Sequence, residues 1–209
     1  DISKIQSEDF QLVKFPFDPV ETINACVESH RYQAEQKGLQ LQSTIAPDIP
    51  AQLLGDSLRI AQVINNLLKN AFRALAATSS AAKPGDLRIE VGVLNGYGRI
   101  IVTDQGTGIA PDLQARIFEP FFTTKERGRG TGLGLATVYG IVRHAGGFVH
   151  VGSRPGIGTE FRVWFPYVEV PNEKPAPRPV AASKRMKNET ILLVEDEKEV
   201  RTLVRRVLE

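Results

Sequence analysis

The spacing of apolar and polar residues along positions 9–170 alternates between the two periods that distinguish helices from strands. Segments with apolar residues every three or four positions predict helices, at residues 18–37, 57–77, 111–117 and 133–145. Segments in which apolar and polar residues alternate predict strands, at residues 10–17, 39–45, 86–94, 98–104, 147–153 and 158–165. The pattern therefore predicts a protein that mixes helices and strands.

The last two predicted strands are joined by the sequence RPGIG, whose proline and glycines are typical of a turn between antiparallel strands. The order of elements does not fit the regular alternation of a doubly wound parallel fold. It favours an α/β (α+β) two-layer sandwich, with a mixed, mostly antiparallel sheet of about five strands covered on one face by about three helices.

Sequence pattern and composition predict four parts of the chain. Residues 1–8 are predicted to end a preceding helix, and residues 9–170 form the main domain. Residues 171–189 are rich in proline and lack apolar periodicity, which is typical of an extended linker. Residues 190–209 contain one apolar strand, an acidic triplet and one amphipathic helix. We expect both ends to continue into other domains.

Composition excludes several classes of protein. The chain has 209 residues, of which 42% are hydrophobic, so it can bury a core, yet it has no apolar run of the roughly 18 residues that a membrane span needs. Its single cysteine, Cys26, excludes an internal disulfide and is consistent with a cytoplasmic location. The net charge of +2 gives no reason to expect nucleic acid as the main partner.

The predicted helix at residues 57–77 carries a polar stripe. Asn66 and Asn70 are one turn apart, and Arg73 follows three residues later on the same side. The other sides are apolar; their residues are Val63, Ile64, Leu67, Leu68, Ala71 and Leu75. An asparagine on a helix is often simply solvated, but an amide oxygen is also a hard, neutral ligand that suits Mg²⁺ with substrate phosphates.

A second polar sequence, TDQGTGI, stands at the end of a predicted strand. Asp104 supplies a carboxylate, while Gly106 and Gly108 leave room for a flat ligand to approach the backbone. A carboxylate can accept a hydrogen bond from the exocyclic amine of adenine, which guanine lacks at that ring position. The same spacing also fits an ordinary β-turn.

The sequence IFEPFFTTKERGRG combines aromatic and cationic residues in a predicted loop. Phe118, Phe121 and Phe122 predict a lid that packs against the domain. The candidate phosphate contacts are Lys125, Arg127 and Arg129, although loop cations are also often only solvated.

Three glycines directly precede the predicted helix at residues 133–145. Gly130, Gly132 and Gly134 require either a turn geometry or a close approach of the backbone. Unpaired amides at a helix amino terminus favour an anion, so phosphate is the natural occupant.

Four of these sequences, in this order, resemble the N, G1, F and G2 boxes of sensor histidine kinases. They are NNLLKNA, DQGTGI, FEPFFTTK and GTGLGLATV, and they fall in register over about 75 residues. The resemblance covers residues 9–168 and implies the ATP-binding catalytic domain of the gyrase-like superfamily. It also implies that family's layered sandwich, with ATP and Mg²⁺ bound beneath a flexible lid.

The resemblance implies roles for individual residues. Asn70 would hold Mg²⁺, while Asn66 and Arg73 would contact the phosphates. Asp104 would bind the adenine amine, and the three glycines would flank the triphosphate. The implied ATP-binding residues are Asn66, Asn70, Arg73, Asp104, Gly106, Gly108, Ile109, Phe118, Thr123, Thr124, Lys125, Arg129, Gly130, Thr131, Gly132, Leu133 and Gly134. Ala74 departs from the pattern, because many family members have an aromatic residue there, near the adenine.

Asn66 bears on the mechanism. Gyrase-like and MutL-like ATPases carry a glutamate there as the base that activates water, and asparagine cannot take a proton. The resemblance therefore implies transfer of the γ-phosphoryl to a histidine, on a dimerisation domain that residues 1–8 would follow. We expect structural or solvated roles for His30 on the exposed side of a helix, His144 near a helix end and His150 in a strand.

The sequence ILLVEDE resembles the start of a response-regulator receiver domain, in which Glu195 and Asp196 would help to bind Mg²⁺. A charged loop between strand and helix is the simpler interpretation. The resemblance implies a homodimeric hybrid histidine kinase, with its dimerisation domain and receiver as partners. The alternative is a nucleotide-binding pseudokinase without phosphotransfer.

Overall fold

The structure is a computed structural model that describes residues 13–77, 87–124 and 130–169. These residues lie within the first unit of the chain, Asp1–Asn172. The predicted helix end at residues 1–8, the linker at 171–189 and the segment 190–209 with Glu195 and Asp196 lie outside the described residues, as do Lys125, Arg127 and Arg129.

The helices and strands follow the predicted order closely. The helices are α1 (Pro19–Gln36), α2 (Ser57–Ala76), α3 (Pro111–Gln114) and α4 (Gly134–His144). The strands are β1 (Phe15–Phe17), β2 (Leu41–Ile45), β3 (Leu53–Gly55), β4 (Leu87–Leu94), β5 (Tyr97–Asp104), β6 (Phe148–Arg154), β7 (Gly158–Pro166) and β8 (Val168–Glu169). The predicted helix at 111–117 is shorter than expected, because only its first turn is α-helical.

The first two helices begin at aspartate caps. The Asp18 carboxylate accepts a hydrogen bond from the Glu21 amide at 2.9 Å, and Pro19 follows at the first helical position. The Asp56 carboxylate accepts from the Arg59 amide at 3.0 Å in the same way. These caps satisfy amides that have no partner inside a helix, so they set where α1 and α2 start.

The main sheet has five strands in the order β2-β4-β5-β7-β6, of which only the β2–β4 pair is parallel. The predicted hairpin at the RPGIG turn is confirmed, because β6 and β7 pair antiparallel across it. In the centre of the sheet, Val102 lies opposite Ile89 on one side and Phe161 on the other. The mixed, mostly antiparallel sheet is as the sequence predicts.

The core lies between this sheet and the helices α1, α2 and α4. The predicted apolar stripe of α2 is buried against it, and Val63, Ile64, Leu67 and Leu68 have no exposed surface. The opposite face of the sheet carries exposed side chains such as Arg88 and Arg162. The helices therefore cover one face, and the predicted two-layer sandwich is confirmed.

A second sheet was not predicted. Strands β1, β3 and β8 form a three-stranded antiparallel sheet in which Leu54 lies between Pro16 and Val168. β3 has only three residues and β8 only two, which is too short for a recognisable alternation. A cavity of about 200 Å³ lies beside this sheet.

The predicted position of His30 on the exposed side of a helix was wrong, whereas a structural role agrees with its contacts. Its side chain is buried, stacks on Phe72 at 5.9 Å between ring centres, and has Nδ1 3.0 Å from the Cys26 carbonyl oxygen. His30 follows the buried Val27 by three residues, so it belongs to the inward stripe of α1. His144 at the end of α4 and His150 on β6 are exposed as expected.

Candidate functional site

The polar stripe of α2 exists as a pair of stacked asparagines. Asn70 Nδ2 donates a hydrogen bond to the Asn66 carbonyl oxygen at 2.9 Å, and both residues are half-buried. Because the amide nitrogen is engaged, Asn70 keeps its side-chain oxygen as an acceptor. Arg73 is exposed one turn further along.

The amino end of α4 lies beside Asn70. A Cβ atom placed on Gly134 would stand 3.6 Å from Asn70 Nδ2. Leu133, at the cap position of this helix, makes no side-chain cap hydrogen bond. The start of α4 and the Asn70 side chain are therefore neighbours, and the amides of a helix start beside a neutral amide oxygen suit a phosphate with a bound divalent cation.

Asp104 ends β5 and is 4% exposed. Its carboxylate accepts hydrogen bonds from the Gly106 amide, at 2.9 Å, and from the Thr159 amide. Burial raises the pKa of the Asp104 carboxyl to about 6, while these two amides act in the opposite direction. A buried carboxylate held by two backbone amides has a fixed direction, as an acceptor for a specific donor requires.

The loop after Asp104 packs closely against α2 on one side and the β6–β7 hairpin on the other. A Cβ atom on Gly106 would lie 2.6 Å from the Ala74 Cβ. Gly108 has a φ of +69°, and a Cβ atom there would lie 2.1 Å from the Arg154 carbonyl oxygen. Both glycines are required by close approaches, so the sequence TDQGTGI is more than an exposed β-turn.

The segments on either side of residues 125–129 are joined by their backbones. The Phe121 amide donates to the Gly132 carbonyl oxygen at 3.1 Å, and both residues have positive φ, +65° and +67°. A Cβ atom on Gly132 would lie 2.4 Å from the Phe121 backbone. Phe118 and Phe122 pack against the core, as predicted, whereas the Phe121 side chain is 69% exposed.

The helix α2 connects the two halves of the candidate site. Asn70 contacts the start of α4, and Ala74, one turn later, contacts Gly106 beside Asp104. One helical turn is about 5.4 Å, so the candidate phosphate end and the candidate base end adjoin each other along one helix.

The remaining predicted residues surround this region. Ile109 packs against the core, and Leu133 and Gly130 are half-buried at the approach to α4. Thr123, Thr124 and Thr131 are exposed.

Three polar residues near Asp104 were missed. They are Gln114, Ser153 and Thr159, and the last two occupy the inward face of β6 and β7. A polar residue at an inward position of an alternating strand is the signal that would have identified Ser153 and Thr159.

Mg²⁺ fits the donor set here. Asn70 provides a neutral oxygen, and Mg²⁺ usually takes few protein ligands beside substrate phosphates. No group of three or more His, Cys, Asp or Glu side chains that could hold a metal occurs in the part of the chain that the structure describes. A metal at Asn70 would therefore depend on phosphate oxygens for its other ligands.

Residues 55–169 match the family described as histidine kinase-, DNA gyrase B-, and HSP90-like ATPase. The chain is 46% identical over 108 residues to the sensor kinase CckA of Brucella abortus (strain 2308), which is 48% of this chain and 11% of that protein. It is 36% identical over 170 residues to the sensor histidine kinase RcsC of Escherichia coli (strain K12), which is 79% of this chain and 17% of that protein. The chain thus spans a small part of these relatives.

The fold is also found in solved structures. The crystal structure of full-length ShkA in complex with AMPPNP matches with a TM-score of 0.70 and 30% identity, covering 80% of this chain and 34% of that one. Among the described residues, no helix combines the length and apolar character needed to cross a bilayer.

Proposed function

We propose a phosphotransfer function for this chain, which belongs to the histidine kinase-, DNA gyrase B-, and HSP90-like ATPase family. Its relatives are sensor histidine kinases, and its fold is that of their ATP-binding catalytic domain. In our proposal the domain binds ATP with Mg²⁺ and presents the γ-phosphoryl to a histidine on a separate dimerisation domain. We also propose a cytoplasmic location, a homodimeric parent, a linker at 171–189 and a receiver domain from residue 190.

One observation carries the proposal: α2 places Asn70 beside the start of α4 and Ala74 beside the loop of Asp104. A nucleotide lying along α2 would have its phosphates at the first pair and its base at the second. The AMPPNP bound by ShkA, a structure of the same fold, supports ATP as the nucleotide.

The residues divide the work of binding and orientation. The Asp104 carboxylate accepts a hydrogen bond from the adenine amine, and the first amides of α4 donate hydrogen bonds to phosphate oxygens. Asn70 would hold Mg²⁺, which neutralises the charge on the phosphates and orients the γ-phosphoryl group. Phosphoryl transfer depends mainly on such positioning and electrostatics.

Asn66 decides what accepts the phosphoryl group. Its carbonyl oxygen already accepts a bond from Asn70, and its side-chain amide has no basic site that could deprotonate water. The bound ATP therefore persists until a protein nucleophile arrives in line. We propose histidine as this nucleophile because the named relatives are sensor histidine kinases.

The first test is calorimetric titration with a non-hydrolysable ATP analogue and the matching GTP analogue, each with and without Mg²⁺. We expect the ATP analogue to bind at least about 100-fold more tightly than the GTP analogue, because guanine has a carbonyl oxygen at the ring position where adenine has its amine. Mg²⁺ should strengthen ATP binding, and Asn70→Ala should remove that gain. Asn24→Ala, an exposed asparagine on α1, is the matched control and should bind like the wild type.

The second test adds ATP and a separately prepared dimerisation domain of a sensor histidine kinase. Phosphohistidine on that domain, with slow phosphate release in its absence, is the expected result. Rapid release of phosphate by the chain alone would instead indicate an ATPase. No binding of either nucleotide would refute the proposal.

A further inference from the structure

The Ser153 hydroxyl on β6 makes three polar contacts at the loop that follows Asp104. Ser153 Oγ accepts a hydrogen bond from the Ile109 amide at 2.8 Å and donates one to the Gly158 carbonyl oxygen at 2.8 Å. It also lies 3.0 Å from the hydroxyl of Thr159. One donor proton and two lone pairs are thus all used, so the hydroxyl is held in one orientation.

Gln114 on α3 completes the connection. Its Nε2 donates to the carbonyl oxygens of Ile109 and Ser153, each at 3.0 Å. The Ile109 amide is therefore bonded directly to the Ser153 hydroxyl. The Ile109 carbonyl oxygen is connected to the Ser153 carbonyl oxygen through Gln114. The Gly156 amide adds a further bond to the Thr107 carbonyl oxygen at 2.8 Å.

The contacts of Ser153 are connected to the Asp104 carboxylate through Thr159, because Ser153, Thr159 and Asp104 lie side by side on the neighbouring strands β6, β7 and β5. Thr159 lies opposite Asp104 on one side and Ser153 on the other, and its amide donates to the Asp104 carboxylate. The Ser153 hydroxyl thus contacts Gly158 and Thr159 on one strand and Ile109 at the end of the loop. Removing it would loosen the connection between the loop and the strand on either side of Asp104, with only the Gln114 and Gly156 contacts left to hold them together.

We propose that Ser153 is a positioning residue for base recognition: with Gln114, it holds the loop Gln105–Ala110 against the β6–β7 hairpin so that Asp104 faces the adenine amine. This inference rests on the proposed function, since it concerns the same nucleotide. It assigns Ser153 to the base end of the site and predicts no effect at the phosphate end.

The test is calorimetric titration of Ser153→Ala with the ATP and GTP analogues, with and without Mg²⁺. Loss of a partly buried hydrogen bond that leaves its partner unsatisfied changes an equilibrium by roughly 5- to 30-fold. We expect ATP affinity to fall by about that factor, and the ratio of ATP to GTP affinity to fall with it. The factor by which Mg²⁺ strengthens ATP binding should not change, because Asn70 and α4 are untouched.

Two further variants separate positioning from general stability. Gln114→Ala removes the second tie without altering the sheet, and should weaken ATP binding in the same direction. Ser43→Ala removes an exposed serine from β2 and should change nothing. In Ser153→Ala we also expect faster hydrogen exchange at the Ile109 amide, measured without nucleotide.

The outcomes distinguish this inference from the proposed function. If the wild type binds neither nucleotide, the proposed function is wrong. A wild type that binds ATP, with Ser153→Ala and Gln114→Ala binding it equally well, overturns only the role of Ser153. Loss of ATP affinity together with loss of the Mg²⁺ effect would also overturn that role, because it would mean general disruption of the site.

Discussion

The two ends of the central strand β5 differ sharply in how closely the protein is packed. At the Asp104 end, Gly106, Gly108 and Gly158 each have a neighbour that would lie within 2.6 Å of an added Cβ atom. At the other end, Gly98 and Ile100 line a cavity of about 200 Å³ beside the small sheet.

Helix α2 reaches both ends, because Ile60 lines the cavity and Ala74 lies beside Gly106, so the difference lies in the groups that surround each end. The cavity is lined mainly by apolar residues that tolerate a loose fit, whereas the Asp104 end consists of backbone groups and polar side chains in fixed hydrogen bonds. A polar group that is buried must have its partners in place, so the polar end has little freedom to relax. We therefore expect substitutions at that end to have large effects that the apolar end does not share.

The largest expected effect is on nucleotide binding. Asp104→Asn should weaken binding of the ATP analogue by about a thousand-fold or more, because an amide in place of the carboxylate loses the charged acceptor and presents a donor to the adenine amine. The fold should persist, since asparagine has nearly the same shape as aspartate and its amide oxygen can still accept the bond from the Gly106 amide. Titration calorimetry and circular dichroism measure the two quantities.

Asp112→Asn, on the exposed start of α3, is the control for a lost aspartate charge near the same loop. It should bind ATP like the wild type. Undiminished affinity in Asp104→Asn would mean that the carboxylate does not contact the base.

The next effect concerns stability and compares two glycines of similar backbone conformation. Gly108 and Gly156 have φ values of +69° and +74°, but an added Cβ atom meets the Arg154 carbonyl oxygen at 2.1 Å only at Gly108. Gly156→Ala should cost about 1 kcal/mol in unfolding free energy, from left-handed strain alone. Gly108→Ala should cost roughly 3 kcal/mol, because the hairpin must also move away.

Urea denaturation of both variants measures this difference directly. Equal losses of unfolding free energy in the two variants would show that the loop and the hairpin can move apart without cost. The close packing of the Asp104 end would then not contribute to stability. Since Ser153 and Gln114 hold the same two segments, Gly108→Ala should also weaken ATP binding more than Gly156→Ala does.

Much of the main sheet and its helices follows from periodicity, because long amphipathic elements carry many residues in phase. The twenty residues of α2 bury the predicted stripe without exception. His30 shows the limit: it was expected on the exposed side of its helix, but its position three residues after Val27 puts it on the buried stripe. Spacing was the better guide than residue type.

The candidate site divides in the same way. Asn70 and Asp104 stand in short motifs with a recognisable order, so they could be predicted. Ser153 and Gln114 contribute through contacts with Ile109. Ser153 lies 44 residues away from Ile109 in sequence. The inward position of Ser153 on its strand can be read from the sequence, but its partner Ile109 cannot, because that contact exists only after the hairpin has packed on the loop.

The smallest expected effect is an electrostatic cost that the Asp104 end carries in the absence of nucleotide. The folded protein holds this carboxyl at a pKa of about 6, against 3.8 for the group in the unfolded chain. Between these values the folded state binds more protons, so this group's contribution to stability is fully present below pH 3.8 and is lost as pH rises through about 6. At pH 7 the cost in unfolding free energy is roughly 1–3 kcal/mol, and Asp104→Asn removes it.

We therefore expect the Asp104→Asn variant to exceed the wild type in unfolding free energy at pH 7–8, measured by urea denaturation. The difference between the two proteins should narrow toward pH 4.5. A gap that stays constant over this range would mean that the Asp104 carboxyl titrates normally in the folded protein, and that the packed end of β5 carries no such charge penalty.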